Sequence, residues 1–527
     1  MRLLKSTAII GFFTLISRVL GLVRDVLIAR FLGAGIVSDA FFTAFKLPNV
    51  FRRMFAEGAF NAAFVPLYAR SIEEDGDLAA DEFAKEAMAA LLVLVAGIVI
   101  LFELTMPISL KIIGYGLDKA VDPVTGISPY YLAVAYAYIT MPYLLFMSMA
   151  ALFSGILNTR NYFALAAAIP ITLNLFMIGA LASSSLGGWQ QHQLGYFLSA
   201  AVMVSGLVQM SLVIWGCRRA GVKIGFKRPR LTPRVKRLFI LGVPGFISAG
   251  GTQLNLLVSH SIATMKKSAA SWLTYADRLY QLPLAMIGIA MGIALLPALS
   301  RRLRAGDIMG AKTSLNRALE IAAFLTIPAT FALAVMPEFL IQGLFQRGAF
   351  TADTTTQTAK ALRMFAYGLP AFVLLKVLTP AFFAQENTKT PMLLTLMAAA
   401  INIVLGFYLF FSIGFQGLAL ATSVAAWVNV ICLTHLLLKN DSFDPDTRLL
   451  SRLPRIILAS AAMAVILIGL VPVLTPMLSG NFLKDFLVLI GVTGAGFVIY
   501  AAAAALLRAF NMNDIRDALR RRPPPSG

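Results

Sequence analysis

Long apolar runs recur along the whole 527-residue chain, separated by short polar segments. A hydrocarbon core about 30 Å thick is crossed by roughly 20 helical residues, the scale of these runs. Lipid offers no partner for a free N–H or C=O, so a spanning chain must satisfy its backbone within helices or a closed barrel. Only 13% of the residues are charged, about half of what a soluble surface uses. The sequence therefore predicts an all-α polytopic membrane protein. Fourteen spans are read, near residues 7–30, 37–66, 84–106, 130–156, 162–184, 193–217, 238–262, 271–299, 314–336, 358–382, 391–411, 414–438, 454–475 and 484–508. The opening "MRLLKSTAIIGFFTLIS" imitates a signal peptide, but no small-residue cleavage pattern follows, so it is read as a retained first helix.

The net charge of +20 would suit a nucleic acid if it formed one patch. Instead Lys and Arg alternate between loops. With the N-terminus inside, they concentrate in the cytoplasmic segments, as the positive-inside rule requires. Both termini are then expected to be cytoplasmic, and no nucleic-acid partner is expected. The densest block, "CRRAGVKIGFKRPRLTPRVKR" (217–237), reads as a topology anchor near anionic headgroups, and "RDALRRRPPPSG" at the C-terminus reads the same way. Two cysteines, Cys217 and Cys432, and three scattered histidines suggest neither a disulfide framework nor a metal site. No nucleotide motif or hydrolytic constellation is evident, so no cofactor and no enzymatic activity is expected.

Two stretches about 230 residues apart resemble each other: "FSGILNTRNYF" (153–163) and "FFAQENTKTPM" (382–392), setting Asn158 against Asn387. Asn174 and Asn402 follow at nearly the same offset, and Thr43, Pro66 and Arg70 match Thr274, Pro297 and Arg301. A shift of six spans, an even number, predicts two six-helix lobes related by a pseudo-two-fold along the membrane normal. The expected organisation is an N-lobe (1–217), a basic cytoplasmic linker (218–237), a C-lobe (238–438), helices thirteen and fourteen (439–508) and a basic tail (509–527). Transporters commonly bind cargo at such a repeat interface.

Most spans are bland; spans one, two and eight are not. Span one carries Arg18, Arg24 and Asp25; span two carries Asp39, Lys46, Arg52, Arg53 and Glu57; span eight carries Asp277 and Arg278. On a regular helix Asp39, Arg53 and Glu57 each fall within about 20° of Lys46, though Pro48 interrupts the run. A charge at the helix centre costs about 2.5–3.5 kcal/mol on insertion scales, so it must face protein or a wet cavity. Ion pairing of Asp25 with Arg18, Glu57 with Arg53 and Asp277 with Arg278 would neutralise only part of the set. The remaining positive charge suits an anion, and the planar fork of arginine favours phosphate. Lys360, Arg363 and Lys376 in span ten either line the same cavity or snorkel.

The segments "TLISRVLGLVRD", "SDAFFTAFKLPNVFRRMFAEGAFNAAFVPLY", "YADRLYQLP" and "NTKTP" together resemble the MurJ (MviN) family of bacterial lipid II flippases, in the multidrug, oligosaccharidyl-lipid and polysaccharide exporter superfamily. The resemblance implies export of an undecaprenyl-diphosphate-linked peptidoglycan precursor from the inner to the outer leaflet by alternating access. It also implies two added helices forming a groove for the lipid tail. Ser17, Arg18, Arg24, Asp39, Arg52 and Arg278 are the cavity residues it carries over. With the local charge pattern, the expected cargo-binding set is Ser17, Arg18, Arg24, Asp25, Asp39, Lys46, Asn49, Arg52, Arg53, Glu57 and Arg278. Some relatives use acidic residues on later helices for sodium, but 238–262 and 389–438 hold no Asp or Glu. Lipid II, membrane lipids and cell-wall synthesis proteins are the expected partners. Alternatives are a flippase for another polyprenyl-diphosphate-linked oligosaccharide and a multidrug or cation antiporter, which would want an acidic cavity.

Overall fold

The computed structural model describes residues 2–54, 60–119 and 126–509. Among them there is no strand. The helices are α1 (Arg2–Leu32), α2 (Ile36–Arg52), α3 (Phe60–Asp75), α4 (Asp77–Ile113), α5 (Pro129–Thr140), α6 (Tyr143–Thr159), α7 (Phe163–Gly187), α8 (Gln191–Arg219) and α9 (Pro233–Ala263). They continue as α10 (Ala269–Arg304), α11 (Ile308–Val335), α12 (Pro337–Phe345), α13 (Ala352–Ala366), α14 (Leu369–Phe383), α15 (Lys389–Ile413), α16 (Gln416–Lys439), α17 (Thr447–Leu474) and α18 (Phe482–Leu506).

Ten stretches among the described residues are long and apolar enough to cross a membrane. The four expected spans not among them are the first two of each predicted half, which are α1, α2 with α3, α9 and α10. These hold most of the polar side chains singled out in the sequence. Two of these ten stretches each prove to be a pair of α-helices. Span four breaks between α5 and α6 at Pro142, and span ten breaks between α13 and α14 just before Pro370. Proline lacks the N–H that an interior helical position supplies. The two breaks lie about 230 residues apart, the spacing of the internal repeat.

Helix ends carry the same repeat. Asn161 after α6 and Glu386 after α14 both take positive φ, and each is followed by an amide that reaches back five residues (Tyr162 to Leu157, Asn387 to Phe382). This hook sets Asn161 against Glu386. The sequence match of Asn158 with Asn387 is therefore one helical turn out of step. Asn158 lies in the last turn of α6, whereas Asn387 stands before α15 and accepts from the Thr390 amide at 3.1 Å.

The chain divides into two compact units, Met1–Ser271 with Arg347–Thr351, and Trp272–Gln346 with Ala352–Gly527. In the first, α1 packs on α7, α7 and α6 pack on α8, and α2 packs on α5. Gly195 and Gly206 let α8 lie directly against the rings of Tyr136 and Tyr143, space that any added Cβ would occupy. Helix α9, which the repeat assigns to the second half, packs on α3 and α4. In the second unit α15 pairs with α16, α11 with α17 and α17 with α18. The added helices are fixed to α11 by polar contacts. Buried Glu320 meets Arg317, Arg448 and Arg452, and the Tyr500 hydroxyl donates to the Phe324 carbonyl at 2.7 Å. Their outer faces, with Val465, Phe497 and Val498, are exposed and apolar.

Candidate cargo-binding site

Helix α1 places its charges in two different environments. Arg24 and Asp25 are buried, at 9% and 8% exposure. Arg24 Nε and Nη2 donate to Asp25 Oδ1 at 3.0 and 2.7 Å, and Nη1 donates to Asn174 Oδ1 on α7 at 2.9 Å. The Asn174 amide then donates to the Ser17 carbonyl at 2.9 Å, two turns back along α1. Of the five guanidinium N–H groups, three are thus fixed. The expected Asp25–Arg18 pair is replaced by Asp25–Arg24, because a long side chain reaches an adjacent residue that helix geometry alone would place well round the surface. Arg18 is exposed and makes no hydrogen bond or ion pair among the described residues. Ser17 is half-buried beside it.

On α2, Asp39 is turned inward at 3% exposure. Its carboxylate accepts from the Ser268 amide at 2.7 Å, the Ser271 amide at 2.9 Å and the Ser271 hydroxyl at 2.5 Å. Ser268 stands just before α10 and Ser271 lies in its first turn, which has no acidic residue of its own. Asp39 therefore caps a helix more than 200 residues away, where orphan amides and the positive end of the helix dipole favour a carboxylate. One turn on, the buried Thr43 hydroxyl donates to the Asp39 carbonyl at 2.7 Å and lies 2.9 Å from His260 Nε2 on α9. With the hydroxyl proton so used, His260 carries its own on Nε2 and donates it. Lys46, Asn49 and Arg52 follow on α2 and Arg53 directly after it, all half-buried, and Arg52 Nε donates to Asn49 Oδ1 at 3.0 Å. Glu57 lies outside the described residues.

In the second unit Arg278 is half-buried on α10, and its neighbour Asp277 accepts from Gln281. Arg363 donates to the Ala334 carbonyl at 3.1 Å, closing the end of α11. Lys360 and Lys376 are exposed, without a hydrogen bond or ion pair among the described residues. Among those residues no group of His, Cys, Asp and Glu could hold a metal ion.

A family model described as "Lipid II flippase MurJ" matches residues 28–492. The chain is 43% identical to a probable lipid II flippase MurJ of Rhizobium meliloti, over 99% of this chain and 97% of that one. This chain belongs to the MurJ family. The match to the family model begins after Asp25, but the full-length relative covers α1 as well. A protein of Burkholderia cenocepacia named lipid II flippase MurJ is 33% identical over 85% of this chain and 86% of its own length. A solved lipid II flippase MurJ in an inward closed conformation aligns with a TM-score of 0.75 at 26% identity, covering 97% of this chain and 99% of that one. A multidrug transporter of the MATE family aligns at 0.69 with 15% identity, covering 81% of this chain and 94% of its own; this is a likeness of fold alone.

The MurJ motifs seen in the sequence thus mark residues with different tasks. In the sequence Asn174 stands out only for its place in the repeat, and its hold on Arg24 has no local signal. Ser268 and Ser271 were missed, although a helix start preceded by serine and lacking an acid invites a cap from elsewhere.

Proposed function

We propose that this chain carries lipid II from the cytoplasmic to the outer leaflet of the bacterial inner membrane, by alternating access and without covalent chemistry. The observation that supports this reading is Arg18, an exposed cation with no protein partner among the described residues, on a helix whose neighbouring charges are satisfied internally. An arginine left open within an apolar helix needs an anion or water, and a diphosphate offers the geometry its fork prefers. Arg24, held by Asp25 and Asn174, presents its remaining N–H groups in a fixed orientation. Arg52 and, from the sequence alone, Arg278 are assigned to the same cargo. Asp25 positions Arg24, and Asp39 positions α10; neither needs to touch cargo. Lys46, Asn49, Arg53 and Glu57 remain proposed contacts.

The test is lipid II binding to the purified protein. Arg18→Ala is expected to weaken it about 10- to 100-fold, the worth of a charge-assisted hydrogen bond. Arg18→Lys should recover only part, because it loses the bidentate fork. Undecaprenyl diphosphate without sugar should compete. Unchanged affinity in Arg18→Ala would remove the diphosphate reading, and equal binding of any polyprenyl-diphosphate oligosaccharide would favour a broader flippase.

The driving force follows from charge. The diphosphate brings roughly two negative charges, and each is worth about 2.3 kcal/mol per 100 mV across the full field. With the inside negative, outward movement runs downhill. Collapsing the potential at constant pH gradient is therefore expected to stop flipping, while exchanging sodium for potassium outside changes little. Flipping that survives without potential but stops without sodium would reverse this assignment.

A further inference from the structure

The basic segment between α8 and α9 is not a loose run of charge. The Lys223 amide donates to Asp81 Oδ2 at 2.9 Å, and Lys227 Nζ pairs with Glu82 at 3.0 Å and Glu86 at 2.8 Å. The Thr232 hydroxyl donates to Glu86 at 2.9 Å, and Arg234 pairs with Asp75 at 3.3 Å. Hydrogen bonds to Glu86 and Glu82 hold the Lys227 ammonium above the ordinary lysine range. The acids of α3 and α4 thus fix one edge of the segment, and Val222 is buried beneath it. Asp81 also meets Arg160 at 2.9 Å.

The other edge has no such partner. Arg218, Arg228, Arg230, Lys236 and Arg237 are exposed, and their side chains make no ion pair or hydrogen bond among the described residues. Between them, Phe226 is 73% and Leu231 80% exposed. The flanking helices also carry exposed apolar side chains, Trp215, with Arg219 5.3 Å from its ring, and Ile240. Large apolar side chains set among unpaired cations, continuous with helices that enter lipid, fit a membrane interface better than water.

We propose that residues 226–231 form an interfacial anchor, with Phe226 and Leu231 inserted among the acyl chains and Arg228 and Arg230 binding the phosphate groups of anionic phospholipids in the adjoining leaflet. The positive-inside rule assigns that leaflet to the cytoplasm. Charge complementarity selects the occupant. The acids of α3 and α4 that meet the segment are engaged with its inner edge, so the outer cations are left for headgroups. Each cation near an anionic surface contributes about five-fold to association. Pinning the inner edge to α4 sets the depth at which the outer edge meets the membrane.

The experiment labels Phe226→Cys in the full-length protein with an environment-sensitive fluorophore, after replacing Cys432 with Ser. The protein is placed in nanodiscs of zwitterionic lipid alone or with phosphatidylglycerol. Quenching by lipids brominated in the acyl chain is expected, and it should deepen with phosphatidylglycerol. Replacing Arg228 and Arg230 together with Gln should raise several-fold the phosphatidylglycerol fraction needed for half of that change. Native-like thermal unfolding of the variants confirms that the label reports on an intact protein. A water-like, unquenched label in both lipids would overturn the proposal. So would quenching indifferent to anionic lipid, or the same spectral change produced by soluble inorganic phosphate, which would mark a free-anion site.

Discussion

Replacing Asp39 with Ala is expected to destabilise the protein by about 3–5 kcal/mol. The carboxylate satisfies two backbone amides and one hydroxyl at the start of α10. Hydrogen bonds to a charged group contribute about 1.5–3 kcal/mol each, and a buried amide left without a partner costs about 1–3 kcal/mol. Asp39→Asn keeps one acceptor oxygen but loses the charge that complements the helix dipole, so about half the loss is expected. Ser271→Ala removes only the hydroxyl and should cost about 1 kcal/mol. Thermal unfolding of the purified variants in one detergent checks the order. Stability unchanged in Asp39→Ala would show that the cap is not a source of stability, and a cargo contact would then be the better explanation of any lost transport.

The Arg24–Asp25 pair separates folding from transport. Removing one member of a buried pair leaves an uncompensated charge, a loss of about 3–5 kcal/mol. Arg24→Ala should therefore unfold at a much lower temperature, so failed growth with that variant says nothing about cargo. Adding Asp25→Ala removes the orphaned carboxylate and is expected to restore most of the stability, leaving transport lost. Arg18→Ala should behave differently. Its side chain meets no protein partner among the described residues, so stability should change by no more than about 0.5 kcal/mol while transport fails. Recovery of transport in the Arg24→Ala, Asp25→Ala protein would make the pair purely structural.

The length of the apolar runs was enough to locate ten of the fourteen expected spans among the described residues, because lipid leaves a spanning chain few alternatives. The charged residues of α1 and α2 were equally visible against that background. Their partners were not. Asp39 meets Ser268 and Ser271 more than 200 residues on, and no local pattern encodes a contact of that range. Helical angle suggested Arg18 for Asp25, yet side-chain length decided for Arg24. Pro142 and Pro370 were legible as prolines, but not as paired breaks until both halves were folded. The Asn158–Asn387 match failed by one turn because similar short polar residues serve opposite purposes there: the one lies in the last turn of α6, and the other starts α15.

We propose that this chain moves lipid II by a route that needs the exposed cation of Arg18. The most direct measurement is the leaflet distribution of lipid II in cells whose only flippase is this protein, read by a probe confined to the outer face. With the unaltered chain lipid II should reach the outer face; on depletion, or with a stably folded Arg18→Ala chain in its place, it should accumulate inside. Undiminished arrival of lipid II at the outer face with the Arg18→Ala protein as sole copy would contradict the account.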